Sequence, residues 1–272
     1  MPKKYLTVGG VATLVHHRGP TTLPEAPPST AQGATVLCCH DAGTDGTRFA
    51  DLMDALADAH RPIAYDQPGH GRSGELDSLG SIPAMVAHLH GLAEVWSLSG
   101  MVLVGEGLGG ALALQAATDH PELVRAVVVV GDAGPAFELD DEIAALTAIT
   151  TGRARRDFDR TGYAPDTDRS VYQKAFASWV TTDPRATLGD RRAQAAWSIG
   201  DGPTVPVLIV VGEHTEPDRL AAADALAAAV PSATVTRLEG AGRRGVLEQP
   251  TALATVIDAF VTEHGLDGRE AQ

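Results

Sequence analysis

The stretch of sequence that decides the fold is M-V-L-V-G-E-G-L-G-G-A-L-A-L, residues 101–114. Its first half is a run of apolar residues typical of a buried strand, and its second half continues into helical spacing as far as Pro121. Glycines at 105, 107, 109 and 110 lie between the two halves. The stretch therefore predicts a strand over 101–107, a sharp turn, and a helix over 108–121.

The same alternation of strand and helix extends on both sides of this turn. A hairpin over 4–18, turning at Gly9-Gly10, opens the chain. Buried strands are predicted at 34–40, 61–66, 126–131, 206–212 and 233–239, and helices at 46–60, 81–98, 217–230 and 250–265. This rhythm is typical of an α/β protein, a mostly parallel sheet with helices on both faces.

The rhythm breaks between residues 135 and 203, where amphipathic helical pieces predominate. We predict a core domain made of 1–134 and 204–272, with 135–203 inserted as a helical cap. Ligands of open parallel sheets bind beyond the carboxyl ends of the strands, so such a cap would wall a pocket there. Within the cap, R-A-R-R-D-F-D-R (153–160) is interpreted as a solvated helix face; a grip on an acidic ligand is the alternative.

The charge balance excludes several classes of partner. The 272 residues carry a formal net charge of −14, and such a field disfavours nucleic acid and anionic membrane surfaces. The N-terminal M-P-K-K-Y-L-T-V-G-G has no apolar stretch of a signal peptide, and no segment approaches the roughly 20 apolar residues of a membrane span. A cytoplasmic protein with a small-molecule ligand is expected, and a homodimer is left open.

Cysteine and histidine usage argues against disulfides and metals. Cys38 and Cys39 are adjacent in a predicted strand, where neighbouring side chains point to opposite faces and do not bridge easily. The histidines are scattered, without zinc spacing. G-E-G-L-G-G (105–110) lacks the spacing of a dinucleotide fingerprint. No metal and no cofactor is expected.

Four segments, in this order, resemble the α/β-hydrolase family. V-G-E-G-L-G-G (104–110) has the strand-to-helix context of the family's G-x-S-x-G nucleophile elbow. H-D-A-G (40–43) is similar to its oxyanion loop, and Y-D-Q-P-G-H-G-R-S-G (65–74) to its D-x-P-G-x-G-x-S turn. E-G-A-G-R-R-G-V-L-E-Q-P (239–250) resembles the final loop that normally carries the catalytic histidine. The resemblance spans nearly the whole chain and implies the α/β-hydrolase fold.

The catalytic residues that the resemblance implies are replaced. Gly107 stands at the elbow tip, where a family member has a nucleophilic side chain. Arg243 stands at the histidine position, and a permanently protonated guanidinium cannot act as a base. Thr215 stands at the position of the triad acid, for which Glu216 or Asp132 are substitutes. The sequence therefore predicts a family member without the triad.

The resemblance still implies a site beside Gly107 that could bind a substrate oxygen, called here the oxygen-binding corner. The backbone N–H groups of Leu108, at the start of a helix, and of Ala42, after strand three, are predicted to hold a carbonyl or enolate oxygen beside Gly107. Arg243 is predicted to clamp a carboxylate, phosphate or enolate, or else to be a surface residue. Glu106 is either an acid or base with a raised pKa, or a carboxylate that points away and binds backbone groups.

Four further polar residues complete the candidate site. His40 is a candidate substrate ligand, or else it fixes the loop by hydrogen bonds. Asp41 either lines the pocket as a proton acceptor or accepts N–H bonds within a turn. His214, just after strand seven, is either a base or a packing residue. Asp132, after strand six, is a candidate substrate ligand.

Three functions remain open. The first is a non-hydrolytic enzyme, a cyclase, isomerase or lyase without a covalent intermediate, acting on a small apolar carbonyl compound, such as one of secondary metabolism. The second is a catalytically silent ligand-binding or regulatory protein. The third is a hydrolase whose nucleophile or activated water comes from Asp41 or Glu106. Carboxylates that point away from the pocket would favour the catalytically silent protein. Carboxylates that converge on the pocket would favour an enzyme.

Overall fold

The structure is a computed structural model that describes residues 2–19, 33–131, 133 and 139–266. Within these residues, eight strands form one sheet in the order β1-β2-β4-β3-β5-β6-β7-β8. The first two pairings are antiparallel and the remaining ones parallel. The strands are β1 (Lys3–Val8), β2 (Val11–His17), β3 (Thr35–Cys39), β4 (Arg61–Tyr65), β5 (Met101–Glu106), β6 (Val124–Val130), β7 (Val207–Gly212) and β8 (Ala233–Leu238).

The helices cover both faces of this sheet, which confirms the predicted α/β-hydrolase fold. They are α1 (Ala50–Leu56), α2 (Ile82–Val95), α3 (Leu108–Asp119), α4 (Asp140–Thr150), α5 (Arg169–Thr181), α6 (Pro184–Ala195), α7 (Pro217–Ala229), α8 (Gly245–Glu248) and α9 (Pro250–Glu263). The helix predicted over 46–60 begins instead as a 3₁₀ turn, Gly46–Phe49, because the Asp45 carboxylate accepts the Thr47 N–H and fixes a tighter start.

Burial along the strands follows their place in the sheet. Every residue of β3, β5 and β7 is buried, whereas the outermost strands β1 and β8 alternate or are largely exposed. Within β3, Leu37 and Cys39 pack on one face with α2 and α3, and Val36 and Cys38 on the other with α1 and α9. Both cysteines are free, as predicted, because they lie on opposite faces of the sheet.

Three cap helices, α4 to α6, lie between β6 and β7 in the chain, and α6 docks on the loop after β3. The Asp190 carboxylate of α6 accepts the Gly43 N–H at 3.3 Å, and its Oδ2 lies 2.9 Å from His70 Nε2. Burial would lower the pKa of His70, but the Asp190 charge outweighs it and raises that pKa. The helical insertion is thus fastened to the loops at the carboxyl ends of the strands; its separation from the core as a domain of its own stays a prediction.

The segment 153–160 is not a helix face, contrary to the sequence interpretation. It runs between α4 and α5 as irregular, mostly exposed chain. The charges of Asp157 and Asp159 face a cavity, while the guanidinium of Arg156 lies 4.4 Å from the centre of the Trp179 ring. Cation–π stacking therefore holds one of its arginines. The two acids line this cavity, whereas Arg156 lines the smaller cavity beside it.

Candidate functional site

The turn between β5 and α3 has the strained geometry of an elbow. Gly107, at its tip, has φ +54° and ψ −118°, a conformation that side-chain-bearing residues adopt only under strain. A Cβ atom on Gly109 would lie 2.0 Å from the carbonyl oxygen of Cys39. The backbone therefore requires glycine at Gly109, and the sharp turn predicted between strand and helix is present.

The carboxylate of Asp41 fills the space that a side chain at Gly107 would occupy. A Cβ atom on Gly107 would lie 2.2 Å from Asp41 Oδ1. The same oxygen accepts the N–H of Leu108 at 3.0 Å, at the first turn of α3. The helix N-terminus that was predicted to hold a substrate oxygen thus holds an anion that belongs to the chain itself.

Two arginines from distant parts of the chain complete the surroundings of Asp41. Arg191, on α6, donates from Nη1 to Oδ1 at 3.0 Å and from Nη2 to Oδ2 at 3.3 Å, a bidentate pair. Arg244, in the loop after β8, donates to Oδ2 at 3.3 Å. Burial would raise the pKa of Asp41, but the charges of Arg191 and Arg244 hold it well below its usual range.

These contacts correct two expectations. Asp41 is an ion-paired carboxylate rather than an open proton acceptor, because two guanidinium groups and the Leu108 N–H occupy its oxygens. Nor is it confined to a turn, since its partners lie on α3, α6 and the final loop. The N–H of Leu108 donates to Asp41 in this structure and is not open to a substrate oxygen.

Glu106 also differs from both interpretations of the sequence. Its carboxylate accepts hydrogen bonds from Nε and Nη2 of Arg48, the latter at 2.8 Å, and the side chain is buried. It therefore binds a side chain rather than backbone groups. Glu106 is not among the residues that line the cavities described below, so a role as acid or base toward a ligand has no geometric support.

His40 fixes the loop by hydrogen bonds, the second of its two interpretations. Its Nε2 accepts the Gln67 N–H at 3.0 Å, so Nδ1 must carry the proton that bonds the Asp41 carbonyl oxygen at 3.0 Å. Burial, with the nearby His70 ring, lowers the pKa of His40 and keeps this ring neutral. His214 is exposed and does not line the cavity, so the structure does not bring it to the site.

Of the remaining residues predicted for the oxygen-binding corner, two line cavities and one lies outside the described residues. Arg243 lines the main cavity, where its Nη2 lies 3.9 Å from Asp159 Oδ2. Ala42 is buried and lines an adjoining cavity of about 170 Å³. Asp132 lies outside the described residues.

The main cavity, about 410 Å³, lies between the final loop, the start of α7 and the cap. This volume is within the range of about 300–1,000 Å³ typical of small-molecule sites. Its wall combines arginines, acids and one apolar helix face. The principal residues are Arg191, Arg219, Arg243 and Arg244; Asp41, Glu142, Asp157 and Asp159; and Ala145, Leu146 and Ile149.

Sequence reasoning missed most of the arginines of this site. Arg244 is adjacent to Arg243, and the doubled arginine in the final loop was the one available signal. Arg191 lies in the cap and Arg48 in the 3₁₀ turn, and neither belongs to a motif. Their partners are 150 and 58 positions away along the chain, so only the fold reveals these pairs.

The described ranges contain neither a metal-binding cluster nor a membrane-spanning helix. No group of three or more histidine, cysteine, aspartate or glutamate side chains is placed to hold a metal ion there. In the same ranges, no helix has the length and apolar character needed to cross a bilayer.

A glycine elbow between a central parallel strand and a helix, under helices inserted after β6, defines the α/β-hydrolase class of fold. A sequence model of the alpha/beta hydrolase family matches residues 36–256. The chain therefore belongs to the α/β-hydrolase family.

Curated relatives of the chain differ in their named activities. It is 31% identical over 235 residues to a magnesium-chelatase 30 kDa subunit of Rhodobacter capsulatus, covering 77% of this chain and 81% of the relative. It is 31% identical over 217 residues to a 2-hydroxy-6-oxo-2,4-heptadienoate hydrolase of Pseudomonas putida, covering 73% and 74%. A polyketide synthase of Burkholderia thailandensis, ThaQ, is 27% identical over 260 residues, but the matched region is 85% of this chain and only 12% of that protein.

Solved structures agree on the fold. A thermophilic esterase from Thermogutta terrifontis superposes with a TM-score of 0.78 over 97% of this chain and 99% of its own, at 17% identity. At that identity the likeness extends to the fold alone.

Proposed function

We propose that this chain is a non-hydrolytic member of the α/β-hydrolase family that binds a small molecule between core and cap without forming a covalent bond to it. The observation that carries the proposal is the Asp41 carboxylate, which fills the nucleophile's space at Gly107 and takes the Leu108 N–H. A reaction through a covalent intermediate needs both a nucleophile and a free oxyanion donor at that place.

Between silent binding and catalysis, the geometry favours silent binding. The carboxylates that were candidate bases are held by arginines: Asp41 by Arg191 and Arg244, and Glu106 by Arg48. Carboxylates held by guanidinium groups in this way are not free to contact a ligand. That one relative is named as a chelatase subunit rather than a hydrolase is compatible with a non-hydrolytic role.

A second candidate is non-covalent catalysis of the cyclase, isomerase or lyase type. Two guanidinium groups, those of Arg243 and Arg244, line the cavity beside the elbow, where positive charge stabilises an enolate. The charged wall argues against an apolar carbonyl compound as substrate, because such a ligand would desolvate these groups without offering them a counter-charge. A hydrolase with a relocated nucleophile is the least supported function, since Asp41 and Glu106 are both ion-paired.

The first experiment tests for covalent chemistry. The purified chain is treated with a fluorophosphonate serine probe and assayed with a panel of generic esters. We expect no adduct in the intact mass and no turnover above background. A stoichiometric adduct or sustained ester hydrolysis would show a nucleophile and refute the proposal.

The second experiment separates binding from catalysis. The probe is 2-hydroxy-6-oxo-2,4-heptadienoate, the compound in the name of one relative. Incubation is followed by absorption spectroscopy and mass spectrometry, because hydrolysis adds water to the compound whereas isomerisation leaves its mass unchanged. We expect the compound to remain intact. Hydrolytic products would contradict the proposal, and an isomer of equal mass would favour the second candidate.

A further inference from the structure

In the wall of the main cavity that also contains Arg219, the carboxylate contacts of Arg243 and Arg244 are long or shared. Arg244 shares Asp41 with Arg191 and contacts it at 3.3 Å. The ion-pair contact of Arg243 is 3.9 Å long and reaches an exposed aspartate, Asp159. By contrast, Arg48 has the bidentate carboxylate of Glu106 to itself.

The electrostatics of the three arginines show mutual repulsion. Burial, together with the charge of Arg243, lowers the pKa of Arg219 to about 10. Burial, together with the charges of Arg48 and Arg243, lowers the pKa of Arg244. Arg219 and Arg244 remain protonated near neutral pH, so the repulsion persists in the folded protein. An anion placed among them would relieve it.

The same wall contains hydrogen-bond donors that lack an acceptor within the described part of the chain. Nε of Arg243 and Nε of Arg244 are buried and have no hydrogen-bond partner within the described part of the chain. Buried N–H groups of folded proteins are normally bonded, and a pair of carboxylate oxygens is the acceptor that guanidinium groups match best. These residues line the main cavity, where a bound ligand can supply the acceptor.

The opposite wall is apolar. Ala145, Leu146 and Ile149 of α4 line the cavity at spacings of three and four residues, which places them on one face of that helix. Asp157 and Asp159 are exposed, and the negative charges they bring to the cavity oppose a second negative charge on the ligand. Glu142 is already paired with Arg191 at 2.8 Å.

We propose that Arg219, Arg243 and Arg244 bind the carboxylate of a small organic acid with one negative charge, whose apolar body packs against Ala145, Leu146 and Ile149. This site lies in the final loop and α7, beside the Asp41 ion pairs and not in place of them. The inference rests on the proposed function, because it names the ligand class of the same non-covalent cavity.

The test uses hexanoate as a probe, its neutral amide as a matched uncharged probe, and inorganic phosphate as an anion without an apolar body. Binding is measured by calorimetry at low ionic strength, with the full chain. Hexanoate should bind, and hexanamide and phosphate should each bind at least about tenfold more weakly. Equal binding of hexanamide, tighter binding of phosphate, or no binding of hexanoate at millimolar concentration would overturn the proposal.

Variants locate the binding. Arg243→Gln and, independently, Leu146→Asp should each weaken hexanoate binding about tenfold or more, while far-UV circular dichroism and thermal unfolding report whether the fold is intact. The matched control is Arg153→Gln, an exposed arginine of the cap that does not line the cavity; its affinity for hexanoate should be unchanged. Unchanged affinity in both cavity variants, or an equal loss in the control, would refute the assignment.

The two proposals fail in different ways. Ester turnover or a fluorophosphonate adduct would refute the non-covalent function but would say nothing about the affinity for hexanoate. Absent hexanoate binding in a protein that forms no adduct would remove the ligand class and leave the non-covalent function standing.

Discussion

Replacing Asp41 with alanine should destabilise the fold and create a vacancy for a small anion. The Asp41 side chain is 6% exposed, accepts the Leu108 N–H, and pairs with Arg191 and Arg244. Removing one partner of a buried ion pair typically costs about 3–5 kcal/mol, because the other charge is left uncompensated. Glu142 still offsets part of the charge of Arg191, so we expect about 3 kcal/mol, nearer the lower end of that range.

The free energy of unfolding is measured by urea titration and checked by thermal unfolding. For a chain of this size, about 3 kcal/mol corresponds to a fall in Tm of roughly 6–12 °C. Alanine keeps the Cβ of Asp41 and lacks only the carboxylate, so formate has the size and charge to replace it. Formate at 100 times its Kd would restore about 2.7 kcal/mol.

The control for this rescue is Leu253→Ala, a core residue of α9 with 0% exposure and no charged partner to lose. It should lose about 2–5 kcal/mol through an unfilled cavity and gain nothing specific from formate. Sodium chloride at equal ionic strength corrects for screening. A loss below about 1 kcal/mol for Asp41→Ala, or equal formate effects in both variants, would refute the role given to this carboxylate.

The remaining predictions concern the elbow and one buried histidine. Gly107→Ser should lower the free energy of unfolding because the new Cβ meets Asp41, and adding Asp41→Gly should recover part of that loss in a double-mutant cycle; strictly additive losses would contradict the clash. Gly107→Ser with Arg243→His should show no efficient hydrolysis of p-nitrophenyl esters, because Asp41 still fills the corner; strong turnover would show that another acid completes a triad. Burial lowers the pKa of His88 to about 4, so the unfolded chain binds its proton first on acidification, and the free energy of unfolding should fall between pH 6.5 and about 4. Urea titrations across this range should show a shallower fall for His88→Gln, and equal slopes in both proteins would argue against the histidine as the cause.

The fold was predictable from sequence because its determinants are local. The close approach of the backbone at Gly109 demands glycine whatever side chains surround it, and the full burial of β5 follows from its apolar run. The 3₁₀ start before α1 was missed, since helical spacing does not distinguish a tight first turn from an α-helical one.

The site was predictable only in its location. Asp41 and Arg243 were named from their loops, and both lie at the cavity. What Asp41 does depends on Arg191, 150 positions away, and no local pattern records which charges will meet. A sequence shows each charged residue separately, whereas the charge state of Asp41 depends on the ion pairs that the fold forms.

The attachment of α6 ties two parts of the cavity wall together. Asp190 and Arg191 are consecutive, and both bind the loop after β3, one through the Gly43 N–H and the other through Asp41. A displacement of this helix breaks both contacts at once, so α6 and the loop after β3 should move as one unit. Because the Arg191–Asp41 pair is buried, added salt should screen it little and leave this coupling intact.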